Sequence, residues 1–170
     1  GATGLAEFLN IRNFSGNEGN EFSDTLIGPD GGAEFTITDL NTGNVNGTSY
    51  FAKIENLTGG KGDDSFIFLG DSLANGLITG SLNGGQGINT MDFSAYSEGI
   101  TVNLSAGSAS TVSGGEADKV KNIATLISSP YNDDFTGHDS QNNTFVFYDG
   151  WGYDTVNPGG GLNILDLSAI

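Results

Sequence analysis

Residues 85–95 read GQGINTMDFSA and residues 159–169 read GGGLNILDLSA. Six of the eleven positions are identical, and Ile88/Leu162, Met91/Leu165 and Phe93/Leu167 each exchange one apolar residue for another. A chain that writes the same segment twice is built from a reiterated unit, and periods of this size point to solenoids or arrays. The second copy stops at Ile170. Joining Ile170 to Gly1 gives ILDLSAIGATGLAEFLNIRNF, which follows the internal order leading from MDFSAY to VKNI with a shorter insert. Residues 1–170 are therefore expected to form a single unit, one repeat of a tandem or head-to-tail array.

A second element recurs as IRNF (11–14), IENL (54–57) and VKNI (120–123), each apolar, charged, Asn, apolar. Each is followed by an Asp-containing turn that runs into apolar residues: SDTLIG (23–28), DDSFIF (63–68) and NDDFTG (132–137). A third element pairs FTITDLNTGNVNG (35–47) with ITVNLSAGSASTVSG (100–114). Apolar residues alternate with others at Ile100/Val102/Leu104, Phe66/Phe68, Met91/Phe93, Phe145/Phe147 and Leu165/Leu167, the period of a strand with one inward face. Residues 117–127 fit a helix, but their match to the other Asn steps argues for strand. Short strands between frequent turns specify an all-β fold. A sandwich and a solenoid both satisfy that pattern. Recurring Asn, Gly and Phe positions that can stack on themselves favour a β-solenoid with irregular coils and Gly/Asn/Asp-rich turns. Asn13, Asn56 and Asn122 are candidates for a ladder between coils.

Composition narrows the setting. Gly supplies 28 residues and Pro only 3, which suits many turns with positive φ. The formal net charge is −16, which disfavours nucleic acid as a partner and suits an extracellular protein that meets divalent cations. Cys is absent, so disulfides, thiol catalysis and thiolate zinc sites are excluded. No apolar run approaches the ~18 residues of a membrane-spanning helix. The chain opens GATGLAEF with neither Met nor a leader pattern, the beginning expected of a processed product or an excerpt of something longer.

Residues 59–67, GGKGDDSFI, fit the nine-residue pattern G-G-x-G-x-D-x-apolar-x. This stretch resembles the RTX (repeats-in-toxin, haemolysin-type) calcium-binding β-rolls. Gly59, Gly60 and Gly62 fall on the glycine positions, Asp64 on the aspartate and Phe66 on the inward apolar position. GGQGINTMD (84–92) keeps the glycines with Asn89 in place of the aspartate. DGWGYDTVN (149–157) keeps Gly150, Gly152, Asp154 and Val156, and SPYNDDFTG (129–137) keeps Asp134. Matches 25 residues apart, rather than nine, are similar to the degenerate RTX-related repeats of large bacterial surface adhesins and extracellular matrix proteins.

The resemblance implies Ca²⁺ held by turn carbonyls and carboxylates, with Gly59, Gly60, Gly62, Asp63, Asp64, Asn89, Asp133, Asp134, Asp149 and Asp154 as the candidate residues. Ca²⁺ takes six to eight hard oxygen ligands, which clustered Asp residues in Gly/Asn turns can supply. The same Asp residues can instead make Asx turns that need no metal.

Catalytic chemistry is not legible. The cations are Arg12, Lys53, Lys61, Lys119 and Lys121; Lys53 lies directly before an Asn step and Lys121 inside one, where they read as exposed strand positions, and the single His138 lies in the polar loop GHDSQNN. Trp151 and Tyr153 can form a sugar-stacking platform or pack over an edge. The five N-glycosylation sequons are what a chain rich in Asn, Ser and Thr contains by chance. The expectation is a structural, non-enzymatic extracellular protein at the bacterial surface. It would be a repeat unit of an adhesin, filament or biofilm-matrix fibre, stabilised by calcium and associating with copies of itself or covalent tandem neighbours. A calcium-dependent module that binds glycans or surfaces is the alternative, and a polysaccharide-modifying β-helix enzyme a more remote one.

Overall fold

The computed structural model describes residues 12–17, 23–71 and 73–170. Within them the regular structure is strand, apart from one short 3-10 turn at Ser113–Gly115, so the chain is all-β. Three sheets are present, and none closes into a barrel.

The largest sheet has nine strands. Its order is β1 (Asn13–Ser15), β5 (Ser49–Ala52), β4 (Thr42–Val45), β3 (Glu34–Asp39), β7 (Ser65–Phe68), β9 (Thr90–Asp92), β13 (Thr125–Ile127), β15 (Thr144–Tyr148) and β17 (Ile164–Ala169). A four-stranded sheet follows the order β12 (Val120–Lys121), β8 (Leu82–Asn83), β6 (Asn56–Thr58), β2 (Thr25–Ile27). A second four-stranded sheet follows β11 (Ser108–Ala109), β10 (Thr101–Asn103), β14 (Asp134–Thr136), β16 (Thr155–Asn157).

From β3 to β17 the large sheet is parallel and in register. Phe35, Phe66, Met91, Leu126, Phe145 and Leu165 form one column across six strands. Leu26, Leu57, Leu82 and Val120 form a column in the first small sheet, and Val102, Phe135 and Val156 one in the second. The chain passes repeatedly from a small sheet, through a Gly/Asx turn, into the large one: β2 to β3, β6 to β7, β8 to β9, β12 to β13, β14 to β15 and β16 to β17. Inward columns from the sheets meet in one apolar core. Stacking like on like gives aromatic contact: Phe35 and Phe66 lie 4.9 Å apart at 5°, and Phe68 and Phe93 5.2 Å apart. Each fully buried Phe contributes about 1.5–3 kcal/mol relative to exposure.

Residues 117–127 hold no helix; they carry the two short strands β12 and β13 amid turn and irregular backbone. The likeness of 35–47 to 100–114 is also structural, since both make antiparallel pairs, β3 with β4 and β10 with β11. Other sequence equivalences do not survive in space. SDTLIG, DDSFIF and NDDFTG contribute β2, β7 and β14, which lie in three different sheets. The expected Asn13–Asn56–Asn122 ladder does not form. Asn13 opposes Tyr50, Asn56 opposes Thr25, and Asn122 lies beyond Lys121, which opposes Asn83. A four-residue match carries no information about which sheet receives it. Ile11 of IRNF, and the joined segment through residues 1–11, lie outside the described residues.

The opening repeat, by contrast, has one backbone in both copies. Gly85 and Gly159 have φ of 83° and 72°, and Gly87 and Gly161 have 87° and 81°. Asp92 Oδ1 accepts the Ser94 N–H at 2.8 Å, and Asp166 Oδ1 accepts the Ser168 N–H at 2.9 Å. The copies differ in cover. Met91 and Phe93 are fully buried, whereas Leu165 is 57% and Leu167 39% exposed on the edge strand β17.

Candidate functional site

The turn at 59–64 carries the sequence between β6 and β7, and its chemistry centres on buried Asp64. Its Oδ1 accepts the Ala33 N–H at 2.7 Å from the preceding level of the stack, and its Oδ2 accepts the Gly60 N–H at 2.9 Å. Gly59 is buried where a Cβ would collide with Gly84 O and the Asp64 carboxylate, so only glycine fits. Gly62 approaches the backbone of Gly31 and Gly32 in the same manner.

The turn is tied to the next level by a reciprocal exchange. Asp63 Oδ1 accepts the Ile88 N–H at 2.7 Å, while Asn89 Oδ1 accepts the Asp64 N–H at 2.9 Å. The same exchange recurs twice. Asn132 Oδ1 accepts from Tyr153 N–H at 2.9 Å and Asp154 Oδ1 from Asp133 N–H at 2.8 Å. Asn142 Oδ1 accepts from Leu162 N–H at 2.8 Å and Asn163 Oδ1 from Asn143 N–H at 2.9 Å. In each case a doublet of Asx residues faces an apolar or aromatic residue followed by Asx. Turn N–H groups that no strand ladder reaches are satisfied by side chains of the adjoining level.

This arrangement bears on the calcium that the RTX resemblance implies. Both carboxylate oxygens of Asp64 are committed to N–H donors. Asp133 is in the same state: Oδ1 accepts from Ile100 N–H at 2.9 Å and Ser129 Oγ at 2.7 Å, and Oδ2 from Ser129 N–H at 2.8 Å. Holding Ca²⁺ through Asp64 or Asp133 would therefore compete with these hydrogen bonds. Among the described residues no group of three or more acidic or His side chains is placed to hold a metal. Asp134 and Asp149 are exposed, Asp134 opening β14 and Asp149 in the turn after β15.

The Asp133–Asp154 pair is electrostatically distinct. Burial pushes Asp133 up to about 6, against the opposing pull of its N–H and hydroxyl donors. Burial also raises Asp154, whose Oδ2 is buried with no hydrogen-bond partner. At the equivalent places Asn89 and Asn163 carry an Nδ2, which donates to the carbonyl three residues back: Gln86 O at 3.1 Å and Gly160 O at 3.0 Å. Asp154 has an acceptor where its counterparts have a donor.

Sequence reasoning reached Asp63, Asp64, Asn89, Asp133 and Asp154 but missed Asn132, Asn142, Asn143 and Asn163. The signal available was the doublet itself, DD, ND and NN, each ending just before a strand. His138, read as a loop residue, is half-buried, and its Nε2 lies 3.1 Å from Ile123 O, a structural tie. Trp151 is half-buried and packs edge-to-face on Phe147 at 5.4 Å, whereas Tyr153 is 91% exposed. Searches against protein-family models, curated proteins and solved structures returned no match.

Proposed function

We propose that the chain is a β-solenoid building block of an extracellular bacterial fibre or surface adhesin. Its levels are riveted by paired Asx turns, and its open end receives a further coil of the same kind. The observation that carries this reading is the contrast between Met91 and Leu165, which follow matching glycine turns but are fully buried in one copy and 57% exposed in the other. Ile164, Leu165 and Leu167 lie on the uncovered edge strand. An edge of unpaired N–H and C=O groups beside apolar side chains favours pairing with another strand. Addition of a second copy of this chain there is heterologous, joining unlike ends, and propagates without closing. The RTX-like turn at 59–67 and the acidic composition support the extracellular setting. In this reading the role is mechanical, and the Asx exchange does the work that calcium does in the family it resembles.

Sedimentation velocity across a concentration series tests the assembly. The wild-type chain is expected to associate with rising concentration, and the Leu165→Asp/Leu167→Asp variant to stay monomeric. A wild-type chain that remains a single monomer at high concentration would reject self-assembly.

A further inference from the structure

A hollow of about 270 Å³ is lined by Ser94, Ser128, Ser129, Pro130, Tyr148, Asp149 and Trp151. Its walls come from the segments that follow β9, β13 and β15, neighbouring strands of the large sheet. Successive strands are about 4.8 Å apart, so the hollow runs for roughly 10 Å along the stack. The strand spacing, not the full length of the hollow, is close to the advance of one pyranose ring along an extended polysaccharide, so the hollow spans about two rings.

The chemistry of the lining is specific. Tyr148 is 43% exposed, and Trp151 is half-buried. The edge-to-face pair with Phe147 anchors the indole and covers at most one of its faces. Aromatic faces of this kind pack against the C–H faces of sugar rings. Asp149 adds a carboxylate acceptor at the exposed turn. No Lys, Arg or His lines the hollow, and the chain carries a net charge of −16. Uronates and sulfated sugars are therefore repelled.

We infer that this hollow is a binding subsite for an uncharged hexopyranose segment of a polysaccharide, with Trp151 and Tyr148 as the stacking surface and Asp149 as the hydroxyl partner. The inference does not depend on end-to-end assembly. It places the recognition surface on the side of the stack, where it stays open when coils are added.

Trp151 is the single Trp of the chain, so fluorescence under tryptophan-selective excitation reports on this site alone. The probes are cellohexaose, mannohexaose and isomaltohexaose, with hexagalacturonate as the charged comparison. At least one neutral probe is expected to produce a saturable change at millimolar concentration. Tyr148→Ala and Asp149→Ala should each weaken it about tenfold. Tyr153→Ala, outside the hollow, should leave it unchanged. Circular dichroism confirms that each variant keeps its strands. Three results would overturn the inference: no saturable response to any neutral probe, equal binding of hexagalacturonate, or loss of binding in Tyr153→Ala with Tyr148→Ala unaffected.

Discussion

Asn89 Oδ1 accepts the backbone N–H of Asp64 at 2.9 Å, from a residue 25 positions earlier in the chain. The Asn89 amide group also donates to Asn122 O at 2.9 Å, so one fully buried side chain links three levels of the stack. Asn89→Ala leaves the N–H of buried Asp64 without a partner and removes the donor to Gln86 O and Asn122 O. The expected loss is about 2–4 kcal/mol, read as a lower urea midpoint. A variant as stable as the wild type would show that these bonds are replaceable by water.

Asp154 offers the converse test. Its unpartnered Oδ2 occupies the place from which Asn89 and Asn163 donate. Asp154→Asn retains the Oδ1 that accepts from Asp133 and supplies the missing donor. Thermal melting at neutral pH is expected to rise, by the equivalent of about 1 kcal/mol. A fall in Tm would mean that the carboxylate is stabilised there by something an amide cannot hold.

The acid dependence follows from Asp133. Its folded value of about 6 lies above the ordinary 3.8, so the native state holds a proton that the unfolded chain has released. The contribution is fully present below pH 3.8 and is lost as pH rises through about 6, by up to about 3 kcal/mol. The raised Asp154 works in the same direction. Exposed Asp71 and Asp166 have lowered values and act oppositely and weakly, since hydrogen bonds to them are lost as pH falls. Wild-type Tm should decline between pH 4 and 6, and Asp133→Asn/Asp154→Asn should flatten that slope. Parallel profiles in the two proteins would place the titration elsewhere.

Glycine substitution separates crowding from turn propensity. Gly59→Ala drives a methyl group into Gly84 O and the Asp64 carboxylate, whereas a Cβ at Gly31 meets nothing within 4 Å. Gly59→Ala should cost more than about 3 kcal/mol, or prevent folding. Gly31→Ala should lie within about 0.5 kcal/mol of wild type. Equal effects at the two positions, read by denaturant unfolding, would contradict the close packing of the levels.

Calcium provides a direct contrast with the RTX resemblance. Because Asp64 and Asp133 spend both oxygens on N–H and hydroxyl donors, EDTA should not lower Tm and millimolar Ca²⁺ should not raise it. A Ca²⁺-dependent rise of several degrees, with heat in a calorimetric titration, would show that the turns rearrange to ligate the ion.

What the amino-acid order determined by itself was local. Period-two alternation set the inward faces of β7, β10 and β15, and positive-φ glycines at 85, 87, 159 and 161 shaped matching turns in the two repeat copies. The carboxylates and amides of the Asx turns were visible as well, because a residue's polarity and its preference for a turn belong to the residue. Which level each turn addresses was not visible. IENL and VKNI match as letters, yet Leu57 stacks with Leu82 and Val120 rather than with Ile123. Register between levels is set by connections of unequal length and by whichever sheet receives the strand, and neither leaves a local pattern. The same limit applies to the repeat shared by residues 85–95 and 159–169. Met91 and Leu165 are equivalent in pattern and in backbone, but only the stacking of β13 on β9 buries the first and only the open edge at β17 exposes the second. Burial is a property of neighbours, and the neighbours are chosen by the tertiary structure.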